Sequence, residues 1–184
     1  MNQKLLYTIG HGSRRIDDFL QILKNFGIEY LIDVRSLPFS KFNPQYNQNE
    51  LQFTLERNQI KYVFMGENLG GRPKDKSCYD YEGKVDYEKV KSKAFFINGI
   101  DRLKTAYKKD IKVVIMCSES NPCDCHRSKL IGRVLENDHI IIKHIDENDK
   151  LKDQTIVINE LNKGLSEIDL FGNPINVTSR KAYL

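Results

Sequence analysis

The stretch "KLLYTIGHGSRRIDDFLQILKNFGIEYLIDVR", residues 4–35, decides the fold. "KLLYTIG" (4–10) is a short apolar run stopped by Gly10, which is the signature of a buried strand. After it, Ile16, Phe19, Leu20, Leu23 and Phe26 recur at helical spacing, with Ser13 placed as a cap and Gly27 as the stop. "IEYLIDVR" (28–35) is a second strand, apolar along its length and polar only toward its end. A strand, a crossover helix and another buried strand form a βαβ unit, and that unit calls for a parallel sheet.

The alternation continues downstream. A Pro- and Asn-rich loop, "SLPFSKFNPQYNQ" (36–48), precedes a helix near 49–59, and "IKYVFM" (60–65) is a third strand. A polar segment follows at 66–91, long for a connection and therefore expected to be functional or mobile. A helix at 93–110, the strand "IKVVIMC" (111–117), a helix at 127–138 and the strand "HIIIKHI" (139–145) complete the series. The expected fold is α/β and three-layered: a mainly parallel sheet of about five strands with helices on both faces, Rossmann-like or rhodanese-like. Residues 1–146 read as a single α/β domain carrying the 66–91 insertion. Residues 147–184 read as a tail that packs on the domain or extends from it, with a short helix near 154–163.

The 184 residues are 40% hydrophobic, enough for one buried core and short for two domains. Basic residues outnumber acidic ones 29 to 25, and the net charge of +4 tolerates an anionic partner without demanding nucleic acid. No apolar run is long enough to span a membrane, and the stretch before Gly10 is too short for a signal sequence. Three of the four cysteines crowd into 117–125 while Cys78 stands apart, which is unlike a secreted disulfide framework. The expected location is the cytoplasm.

In an open parallel sheet, ligands bind outside the carboxyl ends of the strands. Those ends carry Gly10-His11-Gly12, then Asp33-Val34-Arg35-Ser36, then Leu69-Gly70-Gly71-Arg72, and finally Cys117 leading into Cys125-His126-Arg127-Ser128. The catalytic candidates are therefore His11, Asp33, Cys117, Cys125 and His126. Gly10, Arg35, Ser36, Gly71, Arg72, Arg127 and Ser128 are candidates for holding an anion. Ser128 opens a helix whose first amides lack internal partners, and arginines supply bidentate forks. A thiol facing such a terminus has a lowered pKa and is nucleophilic. Plainer roles compete: Asp33 as a cap, Arg35 paired with Asp33, Gly10–Gly12 as a tight turn, and Cys117 as an inert core group.

Cys117, Cys123, Cys125 and His126 are also a conceivable zinc set. Their spacing, C-x5-C-x-C-H, is not that of a zinc knuckle, and no second Cys-x2-Cys pair exists. Neither a metal nor another cofactor is expected to be required. The loop at 35–46 interleaves Arg35, Phe39, Lys41, Phe42 and Tyr46, a composition suited to stacking bases, although the same aromatics would also anchor the loop to a core. "EIDLF" (167–171) resembles the short peptides that dock on bacterial sliding clamps, with Glu167 where Gln is expected.

Taken in order, Thr8-Ile9-Gly10-His11, Asp33-Val34-Arg35-Ser36, Asn43-Pro44-Gln45-Tyr46-Asn47, Leu69-Gly70-Gly71 and Cys117…Cys125-His126-Arg127-Ser128 resemble a family catalogued as domain of unknown function 488. The resemblance covers roughly residues 7–145 and adds Asn43 to the ligand-binding candidates. It implies an α/β domain of this size and names no reaction; Gly12 stands where the family more often has Ser. The order of elements also resembles, remotely, a rhodanese domain, in which a strand-end Cys carries a persulfide. Here ten positions separate Cys117 from Arg127, a longer loop than a rhodanese cradle.

The leading expectation is an enzyme, hydrolase or transferase, acting on a phosphate-bearing ligand, either a nucleotide or nucleic acid. His11, Asp33 or His126 would move protons, and Arg35, Arg72 and Arg127 would hold the anion. The alternatives are rhodanese-like sulfur transfer or thiol chemistry at Cys117 or Cys125, and a non-catalytic nucleic-acid-binding module.

Overall fold

A computed structural model describes residues 4–163 and 177–184, so "EIDLF" lies outside the described residues. The main sheet has six strands: β1 (Leu6–Gly10), β2 (Tyr30–Asp33), β3 (Lys61–Phe64), β5 (Val113–Cys117), β6 (Ile142–Ile145) and β7 (Leu151–Asp153), in the spatial order β3-β2-β5-β1-β6-β7. Five are parallel; β7 alone runs antiparallel, against β6. A separate two-stranded antiparallel pair joins β4 (Lys84–Asp86) to β8 (Thr178–Ala182).

Alternation along β5 shows why the molecule has three layers. Val113, Ile115 and Cys117 face one core, while Val114 and Met116 face the other. The first core receives Phe96, Ile100 and Leu103 of α5 (Ala94–Lys108) and Leu130, Ile131 and Leu135 from the segment after Arg127. Opposite it lie Phe19, Leu20 and Leu23 of α1 (Ile16–Asn25) and Leu51 and Leu55 of α2 (Gln48–Arg57). Every β5 residue is buried, as expected of a central strand covered on both sides. The three-layer α/β expectation holds, with more strands than the apolar runs signalled.

The local differences have physical causes. Ser13 does not cap α1; Arg15 occupies the cap position, and no side chain bonds the first amides there. The helix expected at 127–138 is divided into a π-helical turn at Arg127–Gly132 followed by α6 (Arg133–Asn137). The amides of Ser128 and Lys129 both reach the Cys125 carbonyl at 3.3 Å. These amides, expected to be free for an anion, are spent on the preceding loop.

The 66–91 segment folds into short elements, α3 (Gly66–Leu69), β4 and α4 (Tyr87–Lys91), and buries Leu69, Cys78, Val85, Tyr87 and Val90. Beyond residue 146, β7 and α7 (Gln154–Leu161) pack on the sheet edge, and β8 returns to β4. No described helix is long and apolar enough to cross a membrane.

Candidate functional site

The carboxyl ends of β1, β2 and β5 meet at one rim. His11 and Gly12 extend the β1–β5 ladder by donating to the Cys117 and Ser118 carbonyls at 3.0 and 2.9 Å. Gly10 is required there, because a Cβ would stand 1.6 Å from the Glu119 carbonyl oxygen and 2.7 Å from Arg127 Nη1. At this rim lies a pocket of about 230 Å³, walled by Arg35, Cys117, Glu119, Cys125 and His126, with Arg72, Arg180 and Tyr183 on its polar lip and Leu37 and Phe39 on its apolar one.

Asp33 is fully buried and fully occupied. Its carboxylate accepts from Arg35 Nε at 2.9 Å, Arg35 Nη2 at 2.5 Å, the Arg35 amide at 3.0 Å and Tyr62 Oη at 2.7 Å. These bonds fix the guanidinium and leave Asp33 no lone pair aimed at a ligand. Arg35 Nη1 contacts His11 Nε2 at 3.3 Å, while His11 Nδ1 lies 2.8 Å from the Gly12 carbonyl. The guanidinium only donates and the carbonyl only accepts, so the proton of His11 sits on Nδ1. Its ring stacks on Tyr46 with centroids 4.2 Å apart. Burial first, and Arg35 second, lower its pKa to about 4. His11 and Asp33 therefore position Arg35, and neither lines the pocket.

The floor of the pocket comes from β5 and the loop after it. Cys117 Sγ and Cys125 Sγ each lie 3.7 Å from His126 Nδ1, and the three donor atoms all fall within 4.8 Å of one another. The Cys117 thiol donates to Glu119 Oε2 at 3.0 Å, and the Arg127 amide points at Cys125 Sγ at 3.4 Å. Burial opposes a Cys125 thiolate, but the neighbouring Cys117 thiol and the charges of His126 and Arg127 bring its pKa down to about 6. Cys117 moves up, held protonated by the adjoining Cys125 sulfur and by burial. For His126, burial opposes the charged ring, yet the Cys125 sulfur outweighs it and raises the pKa. Gly71 packs on this ring, where a Cβ would lie 2.8 Å from Nδ1.

Other candidates lie elsewhere. Arg127 is buried completely and does not line the pocket; its Nη2 donates to the Ser120 carbonyl at 2.8 Å, and Nε and Nη1 have no hydrogen-bond partner among the described residues. Cys125, Cys117 and Glu119 are its electrostatic counterweights. Ser128 Oγ donates to the Pro122 carbonyl at 2.5 Å and so ties the loop to itself. Ser36 lines the pocket and accepts from the Arg72 amide at 2.9 Å. Asn43 is half-buried in a turn outside the pocket. Cys123 turns away, toward the Val157 carbonyl and Glu160. Among the loop aromatics, Tyr46 is buried, while Phe39 and Phe42 are exposed.

Sequence reasoning missed Glu119, Arg180 and Tyr183. Glu119 sits two positions past a strand-end Cys, and strand alternation carried one step further would have placed it on the same side. Arg180 and Tyr183 lie in a tail with no periodicity; they reach the pocket only because β8 pairs with β4. Arg180 is held by Asp124 at 3.2 Å, and the Arg72 guanidinium lies 4.3 Å over the Tyr183 ring.

A family model described as Domain of unknown function DUF488 matches residues 15–134, and the chain belongs to that family. No curated protein and no solved structure matches the chain.

Proposed function

We propose that the pocket binds a phosphate-bearing ligand of nucleotide type, as a mononucleotide or a strand end, and that the protein is an enzyme acting on it. One observation carries this reading: exposed cationic and exposed apolar groups converge on a single cavity whose floor holds Cys117, Cys125 and His126. Arg72 and Arg180 suit the phosphate, with Arg35 fixed behind them. Leu37 and Phe39, 70% and 60% exposed, offer a surface on which a base can lie. Proton transfer by His11 or Asp33 has no support here, since their polar atoms are engaged with Arg35, Tyr62 and the Gly12 carbonyl.

Titration with a fluorescent nucleoside triphosphate and with a short single-stranded oligonucleotide tests this reading. Arg72→Ala is expected to weaken binding about tenfold, the loss of one charged phosphate contact. Wild-type protein that binds neither probe at low salt would sink it.

Thiol chemistry at Cys117 or Cys125 is the competing reading, supported by two sulfurs in the pocket wall. Incubation with thiosulfate followed by mass measurement decides it: attack of a thiolate on the outer sulfur breaks the S–S bond of thiosulfate and releases sulfite, so a gain of one sulfur atom favours transfer and an unchanged mass removes it. The free cysteines suit a reducing compartment such as the cytoplasm.

A further inference from the structure

The pocket floor has a geometry that neither a phosphate site nor a lone thiol requires. His126 Nδ1 is equidistant, at 3.7 Å, from two sulfurs contributed by different parts of the chain. With zinc–sulfur bonds of about 2.3 Å and zinc–nitrogen bonds of about 2.0 Å, tetrahedral angles put sulfur and nitrogen ligands about 3.6 Å apart. We propose that Cys117 Sγ, Cys125 Sγ and His126 Nδ1 bind a zinc ion, with the fourth coordination position open to the pocket.

The surroundings fit such an ion. Two thiolates and an imidazole form a borderline-soft set that favours zinc over magnesium or calcium. The backbone N–H of Arg127 points at the Cys125 sulfur, as outer-shell donors do at thiolate ligands. Gly71 leaves the space beside Nδ1 clear, and any larger residue would put its Cβ 2.8 Å from that nitrogen. Glu119 Oε2 lies 3.0 Å from Cys117 Sγ, but neither it nor any other described His, Cys, Asp or Glu joins the three within the same mutual distance, and the remaining position faces the cavity that the three and Glu119 wall. With Cys123 included the linear spacing is not that of a zinc knuckle; the fold turns Cys123 away and leaves a three-ligand set. An open position is the arrangement of a catalytic zinc, which can polarise a ligand oxygen or a bound water. The site stands on the floor geometry and does not depend on what binds at the lip.

The experiment is metal analysis of reduced, full-length protein reconstituted with zinc, together with cobalt(II) substitution. Wild-type protein, Cys123→Ser and Cys78→Ser are expected to hold close to one zinc per chain. Cys117→Ser, Cys125→Ser and His126→Ala should lose about tenfold or more in zinc affinity. Cobalt in the wild-type protein should show tetrahedral ligand-field bands and a thiolate charge-transfer band, a readout that needs no variant to fold. Absence of both metals from reduced wild-type protein, or zinc retained at wild-type affinity by Cys117→Ser/Cys125→Ser, overturns the assignment. Nucleotide titration of the zinc-free protein keeps the two proposals separate, because binding through Arg72 can persist where the metal site fails, and the reverse.

Discussion

Gly10 has no room for a methyl group. A Cβ would meet the Glu119 carbonyl at 1.6 Å, and that contact is backbone, which cannot rotate away. Gly10→Ala should destabilise the fold by about 3 kcal/mol through overpacking, measured by urea unfolding. It should also push aside the loop that carries Cys125 and His126. Gly71 is the subtler case, because its Cβ would press on an imidazole that can tilt. Gly71→Ala is expected to leave the unfolding midpoint nearly unchanged while lowering zinc affinity. A large loss of stability with unaltered zinc binding would contradict the role given to Gly71. Asp33 shows why residue type alone misleads: an acid at a strand end looks catalytic until its bonds to Arg35 and Tyr62 are counted.

At the scale of elements, a buried polar chain fastens the site to the rest of the fold. Thr8 of β1 meets His144 Nδ1 of β6 at 2.7 Å, His144 Nε2 meets Gln154 Oε1 of α7 at 2.6 Å, and Gln154 Nε2 donates to the Ser128 carbonyl at 3.1 Å. The amide oxygen accepts, so Nε2 of His144 carries the proton and Nδ1 accepts from the Thr8 hydroxyl. Gln154→Ala strands a buried N–H and a buried carbonyl and should cost about 2 kcal/mol. Hydrogen exchange should show the loss concentrated in the π-helical turn. Elsewhere on the pocket, β8 supplies Arg180 through its pairing with β4, and Tyr183, one residue past β8, is tied to the Gly83 carbonyl. Removing residues 177–184 should speed amide exchange in Lys84–Asp86 and weaken nucleotide binding; unchanged exchange there would mean that β8 does not hold β4.

For the whole molecule, two buried histidines should make stability fall on mild acidification, against a smaller opposing contribution from His126, whose pKa is raised. His11 and His144 are both buried and neutral, each with its pKa lowered to about 4, burial being the first cause in each. An unfolded histidine takes up its proton near pH 6.5, so between about pH 6.5 and 4 the unfolded chain binds more protons than the folded one. The stabilising contribution is complete above the unfolded value and is lost as pH falls toward the folded one. From pH 7 to pH 5 each histidine should remove about 2 kcal/mol. His144→Gln should flatten that dependence, and urea unfolding at the two pH values measures it. The sequence by itself determined the alternation of strand and helix, because buried parallel strands must be apolar along their length and crossover helices must be apolar on one stripe. It also determined that Cys117, Arg35, Gly71 and His126 share a rim, since all parallel strands end on the same side. Only the tertiary structure decided which of these residues line the pocket. Thr8 meets His144 across 136 positions, and β8 meets β4 from the far end of the chain. Such long-range contacts leave no periodicity in a sequence, yet they fix which polar groups are buried and which line the pocket.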